Sequence, residues 1–307
     1  FSRSADRDWE SDTNIPADQQ HGCKDIALQL AEAKFDVALG GGTAMFYGKA
    51  GGGRRADPAA DLPAAWAAKN GGVVVKDAAA LAAAPMDKPV LGLFNPSHMT
   101  FMAERKPDSP EPTLTDMTAQ AIARLKADPD GFYLMVEGGR IDHGHHAGQA
   151  GYALEEAVEL ARAVQYAVEN TDPAETLIMV TADHSHVLTI AGYPERGNDI
   201  LGYIKPPKGG GEGDGGLSPE GYSLDDRGQP MTTLTYANGP FVSRGLSRTL
   251  PPTDPNYLAN KTYGTSGESH GGEDVALFAE GPRADLVRGV MEQNLIFHIM
   301  AEALGWR

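Results

Sequence analysis

Six of the nine histidines in this chain of 307 residues fall in three short segments that also carry carboxylates. The first is EGGRIDHGHH, Glu137 to His146; the second is TADHSH, Thr181 to His186; the third is ESHGGED, Glu268 to Asp274. Carboxylate oxygen and neutral imidazole nitrogen are the donors that Zn²⁺ and Mg²⁺ accept. Asp142 and His146 stand four residues apart, so on one helical turn both would point at one ion. A scattered set of surface or capping polar residues is the plain alternative. Acid–histidine pairs that recur just beyond separate apolar runs argue against it.

The elements that must hold these residues are legible as apolar runs. Strand-like stretches occur at Phe35–Leu39, Val73–Val75, Val90–Phe94, Phe132–Val136, Leu177–Val180 and Val275–Ala279. The three acid–histidine segments adjoin the last three of these. Glu137 is expected at one strand's end and Asp183 just past another, where open α/β sheets place their ligands. Helical patterns fall at Cys23–Ala33, Ala64–Lys69, Leu114–Ala127, Gly148–Glu169 and Arg283–Leu304. In the fourth, Ala153, Ala157, Leu160, Ala161 and Val164 form an apolar stripe, with Glu155, Glu156, Glu159 and Arg162 expected outside it. Such alternation predicts an α/β fold, a mostly parallel central sheet with helices on both faces.

The stretch Tyr203 to Thr265 breaks the alternation. It is rich in glycine and proline, includes the tract Gly209–Gly216, and reads as a surface insert on a single domain spanning residues 1–307. The glycines at Gly40–Gly42 and Gly51–Gly53 do not precede a Gly-Lys-Ser/Thr sequence, so a Walker-type phosphate loop is not predicted.

Composition narrows the partners. A formal charge of −16 leaves no basic stripe for nucleic acid, and an anionic substrate must be drawn in by local positive charge such as bound metal. No apolar run has the roughly 18–20 residues that a membrane-spanning helix requires. Cys23 is the lone cysteine, which excludes an internal disulfide. The chain starts at Phe1 without a leader-like segment, so either processing removed a leader or the sequence begins part-way through a longer protein.

Taken in order and spacing, EGGRIDHGHH, TADHSH and ESHGGEDVA resemble the alkaline phosphatase family, in particular its animal and marine-type branch. RDWESD (Arg7–Asp12), GCKDIALQL (Gly22–Leu30), LGGG (Leu39–Gly42), GYPERG (Gly192–Gly197), YANGP (Tyr236–Pro240) and EQNLIFHIM (Glu292–Met300) extend the resemblance along nearly the whole chain. The resemblance implies the three-layer alkaline-phosphatase-like fold, with Tyr203–Thr265 as a crown-like insert. It implies a site of two zincs and one magnesium: Asp142, His146 and His270 at the first zinc, Asp183 and His184 at the second, and Glu137 at magnesium. It makes Arg7 the holder of the substrate phosphate, whose oxygens its planar fork suits. His143 and His186 match positions next to the metals, where hydrogen bonding orients ligands. His145, His21, His98 and His298 are read as having no role in the site.

The implied activity is hydrolysis of phosphate monoesters through a phosphoserine intermediate. Two zincs about 4 Å apart would clamp the attacking and leaving oxygens. The family's serine nucleophile and an aspartate bridging zinc and magnesium lie upstream of the arginine motif, and Ser2 and Ser4 are too close to Arg7 to replace them. Residues 1–307 alone are therefore expected to be inactive or nearly so. Structural calcium is not expected, because Phe94-Asn95 and Glu111 are present while the loop Gly48–Asp57 lacks a matching glutamate. Cys23 matches a position that is disulfide-bonded in some relatives to an upstream partner. The resemblance further implies a homodimer and a secreted or periplasmic location. The alternatives are a zinc-binding fragment or homologue without turnover, or a phosphodiesterase or sulfatase of the same superfamily.

Overall fold

The computed structural model describes residues 7–19, 24–208, 216–240 and 250–306, and it divides into two compact units, Phe1–Val136 and Glu137–Arg307. Cys23, His21, Ser2, Ser4 and most of the glycine tract lie outside the described residues.

The first unit runs α1 (Ile26–Glu32), β1 (Val37–Gly40), α2 (Thr43–Phe46), α3 (Leu62–Asn70), β2 (Val73–Val75), α4 (Ala78–Ala83), β3 (Val90–Leu93) and α5 (Leu114–Leu125). Side-chain caps start α1, α3, α4 and α5: Asp25, Asp61 and Asp77 accept from the amides of Leu28, Ala64 and Ala80, and Thr113 with Asp116 closes a reciprocal capping box. Gly71, at φ 64°, turns α3 off into β2. The three strands form a parallel sheet in the order β1-β3-β2.

β3 is buried along its whole length, as a central parallel strand must be. Its side chains alternate between two cores. Leu91 and Leu93 pack with Ala27, Ala31, Phe46 and Trp66 from α1 to α3, and Trp66 stacks on Phe35 at 4.9 Å. Val90 and the following Phe94 pack with Leu81 of α4, and Met117 of α5 closes over them. Helices thus cover both faces of this sheet, as predicted. The helix α4 was not foreseen, since a run of alanines carries no apolar periodicity. Phe132–Val136 departs from expectation. Among the described residues it joins no ladder, and Tyr133 and Met135 are 57% and 67% exposed. Composition favours a strand there, but a strand forms only where a partner supplies the ladder.

Near the start of this unit, Arg55 is buried and grips Asp25 with both guanidinium nitrogens, at 2.9 and 2.8 Å, while also donating to the Met45 carbonyl at 3.0 Å. That fork ties the cap of α1 to the loop after α2.

The second unit holds α6 (Arg140–His146), α7 (Ala150–Asn170), β4 (Ile178–Val180), β5 (Ser185–His186), β6 (Leu188–Ile190), β7 (Leu234–Pro240), β8 (Asn260–Thr265), β9 (His270–Gly271), β10 (Phe278–Glu280) and α8 (Leu295–Ala303). β4 pairs antiparallel with β10, and β5 antiparallel with β9. β6-β7-β8 form a third sheet in which β6 and β7 run antiparallel and β7 and β8 parallel. Leu234, Tyr236, Ala259 and Ala150 are its core. Part of the stretch predicted as an insert therefore supplies two of the three strands here.

Two helical expectations shift. On α7, Tyr152, Ala153, Glu156, Glu159 and Ala163 face inward while Ala161 is exposed. An alanine-rich stripe has too little bulk to fix a helix's rotation. Gly144 helps decide it: a Cβ there would lie 2.6 Å from the Ala153 amide nitrogen, so only glycine lets α6 and α7 approach this closely. The helix expected over Arg283–Leu304 is broken into a short 3-10 turn (Ala284–Leu286) and α8, with Gly289 at φ 65° between them.

Candidate metal centre

Asp142 and His146 do share one turn of helix, on α6, as their spacing predicts. Their partners arrive by strand pairing. β5 and β9 place His186 directly opposite His270, and His184, two residues before His186, stacks on His270 with ring centroids 3.6 Å apart. Gly271 permits this pairing, since a Cβ on it would fall 2.2 Å from the Ser185 hydroxyl oxygen. The last turn of α6 joins the same assembly, because the Glu268 amide donates to the His146 carbonyl at 3.0 Å.

The result is a convergence of imidazoles on one carboxylate oxygen. Asp142 Oδ1 lies 3.0 Å from His186 Nε2, 3.4 Å from His146 Nε2, 3.5 Å from His270 Nε2 and 4.0 Å from His184 Nε2. His146 Nε2 and His270 Nε2 face each other at 3.1 Å. Ring nitrogens turned toward one another and toward a carboxylate are a donor set for a divalent cation of zinc's kind. Among the described residues, two groups of ligand atoms are close enough to hold an ion: Asp142, His184, His186 and His270, and a second of His146, His186 and Glu268.

Three of the histidine Nδ1 atoms are occupied on the far side. His186 Nδ1 bonds the Glu268 carboxylate at 2.6 Å, His146 Nδ1 the Glu268 carbonyl at 2.5 Å and His184 Nδ1 the Ser185 carbonyl at 3.1 Å. This fixes which nitrogen faces inward.

Asp183, Glu137 and His143 belong to neither ligand group. Asp183 Oδ2 is 3.4 Å from His184 Nε2 but its side chain is 89% exposed, and neither ligand group includes it. Glu137 is exposed and likewise in neither group, with its carboxylate folded beside Gly139. His143 Nδ1 accepts from Arg140 at 2.9 Å. Arg7, in the first unit, is exposed and pairs with Asp8 at 3.7 Å.

His145, read as having no role in the site, is packed against it. It is half-buried, stacks on His186 at 4.7 Å, and its Nδ1 lies 2.7 Å from the Tyr236 hydroxyl. Burial, with the neighbouring His186 as a lesser cause, pushes its pKa down to about 4, so the ring is neutral and accepts. Burial pushes the Tyr236 hydroxyl up, aided by the Glu268 charge, so that hydroxyl stays protonated and donates. The residues missed from sequence were Glu268 and Tyr236. Glu268 was in view, two positions before His270, but a buried orienting carboxylate has no signature of its own.

A site built from imidazoles and a carboxylate, in an α/β chain, marks the class of metal-centred proteins. The family profile for alkaline phosphatase matches residues 1–306. The tissue-nonspecific alkaline phosphatase of Gallus gallus is 42% identical over 99% of this chain, and the alkaline phosphatase of Gadus morhua is 40% identical over the same share. This chain belongs to the alkaline phosphatase family. It spans 60% of the length of the Gallus gallus protein and 65% of that of Gadus morhua. Among solved structures, the Thermus thermophilus alkaline phosphatase superposes with a TM-score of 0.63 at 24% identity, over 92% of this chain and 65% of that one. The alkaline phosphatase of the Antarctic bacterium TAB5 gives 0.58 at 22%, over 92% and 64%. At such identities these two establish the fold alone.

Among the described residues, no helix is long and apolar enough to cross a membrane.

Proposed function

We propose that this chain carries the zinc centre of a phosphate monoester hydrolase. The convergence of four imidazole nitrogens on Asp142 Oδ1 is the observation that supports it most directly. Asp142, His146 and His270 hold one zinc, Asp183 and His184 a second, and Glu137 a magnesium, for which a hard oxygen donor is suited. His186 orients Asp142 through its 3.0 Å contact. Bound divalent ions supply positive charge that stabilises developing oxyanions and lowers the pKa of a water toward roughly 7.

The chain's own residues do the rest. The α6 turn and the β5–β9 pair hold the donors in fixed directions, so little reorganisation accompanies binding of an anion. Arg7 binds two phosphate oxygens with its fork and offsets their charge. A chain of net charge −16 needs such local positive charge to admit a phosphate at all. The protein acts on small phosphate monoesters, outside the cytoplasm, as a homodimer; light scattering of the purified protein tests the last point.

The reaction is tested by comparing aryl phosphate, bis-aryl phosphate and aryl sulfate as substrates of the full-length protein. Preference for the monoester, abolished by a chelator and restored by zinc, is expected. Faster turnover of the diester or the sulfate would overturn the assignment. The centre is tested on the chain itself: His270→Ala should lower its zinc content, and unchanged content would count against the ligand assignment.

A further inference from the structure

We propose that Glu268 is the positioning residue of this centre, holding His186 with its side chain and His146 with its main chain so that both Nε2 atoms face Asp142. The proposal rests on reading the site as a metal centre, and it concerns a residue outside the six ligands assigned above.

The Glu268 side chain has no exposed surface, and both its oxygens are engaged. Oε1 accepts from the Val187 amide at 2.8 Å and Oε2 from His186 Nδ1 at 2.6 Å. The same residue's carbonyl accepts from His146 Nδ1 at 2.5 Å. Its amide donates to the His146 carbonyl at 3.0 Å. Next to it, Ser269 is pinned by Asn238, whose side-chain oxygen accepts from the Ser269 amide at 3.0 Å and whose nitrogen donates to the Ser269 hydroxyl at 2.9 Å. The carboxylate therefore sits on a fixed backbone, with each of its oxygens committed to a buried donor. A buried amide left without an acceptor is costly, so the Val187 bond keeps Oε1 where it is.

A carboxylate is acceptor-only, so the nitrogen that faces it must carry the proton. That puts a proton on His186 Nδ1, while Nε2 lies 3.0 Å from Asp142 Oδ1, so Glu268 and Asp142 hold the ring from opposite sides. A glutamine has one acceptor oxygen in place of two. In Glu268→Gln that oxygen stays with the Val187 amide, and the carboxamide NH₂ turns to His186 Nδ1. Nδ1 must then be unprotonated to accept, and the ring loses the charged acceptor that holds it from behind while keeping its contact to Asp142.

The test is nitrogen-15 NMR of the histidine rings in the metal-free 307-residue chain, with His186 assigned by its absence in His186→Gln. In the unsubstituted chain, His186 Nδ1 is expected to be the protonated nitrogen; in Glu268→Gln it becomes unprotonated. Zinc affinity, measured by chelator competition, should fall about 10- to 100-fold in Glu268→Gln. An unprotonated Nδ1 in the unsubstituted chain overturns the proposal without any variant, so a failure of Glu268→Gln to fold leaves it testable. Unchanged Nδ1 protonation in a folded Glu268→Gln also overturns it. If the unsubstituted chain takes up no zinc, the reading as a metal centre falls, while the ring signals still decide the role of Glu268.

Discussion

Asp142 gathers more of the site than any other side chain, with imidazole nitrogens from three separate segments within 4.0 Å of one oxygen. Removing its charge removes what the ring nitrogens share. Asp142→Asn is expected to weaken zinc binding by at least about 100-fold, the upper end of the loss seen when only an outer hydrogen-bonding partner is removed. His143→Ala, whose ring faces Arg140, should change it little; chelator competition on the two variants makes the comparison. Behind the cluster, Tyr236→Phe deletes the donor to the neutral His145 ring and leaves a half-buried acceptor unpaired. A loss of about 1–3 kcal/mol in urea unfolding is expected. The acid–histidine segments named five of the converging side chains in advance. Sequence could not tell that His143 turns to Arg140 while His145 turns inward, because neighbours on one helix differ in direction only once the partners across from them are known.

Elements are held by a few buried polar contacts whose failure would be local. Arg55 and Asp25 form a buried fork, and Arg55→Ala strands the Asp25 carboxylate, so unfolding of the first unit should be easier by about 3–5 kcal/mol. Gly144→Ala forces a methyl against the Ala153 backbone and should cost about 1–3 kcal/mol; retained zinc affinity with lowered stability would locate its effect in packing. Glu111 gives the pH dependence. Burial alone would raise its pKa, but the Thr100 amide, Asn95, the Thr100 hydroxyl and Arg105 overcome that and hold it below the ordinary carboxylate value. The stability it contributes is therefore present above that ordinary value and lost as pH falls through the lowered one. Acid unfolding of Glu111→Gln, followed by circular dichroism, should depend less on pH in that range. The parallel strands and most helices were legible from apolar runs and helical periods. Where Gly289, at positive φ, lies inside an apparent helical pattern, or where alanines stand in for a stripe, on α7, the pattern misled.

At the scale of the whole molecule, the residues that converge on Asp142 all belong to the second unit, from His146 to His270. A ligand stabilises the state that binds it and nothing else. Zinc removal should therefore raise amide exchange in peptides of residues 137–306 and leave those of the first unit, around β1, β2 and β3, unchanged. Hydrogen exchange with and without chelator reads this out, and equal loosening of both units would contradict it. The sequence alone determined the class of fold, the family and the chemistry of the donors. Residue type and spacing carry these, since a strand-end carboxylate or an i, i+4 pair is a local fact. Only tertiary structure decided which donors meet. The β5–β9 register set His186 against His270, and Glu268, mute in sequence, became the carboxylate that turns two rings. Those relations depend on chain segments more than 80 residues apart lying within hydrogen-bond reach, about 3 Å, and no local pattern encodes that.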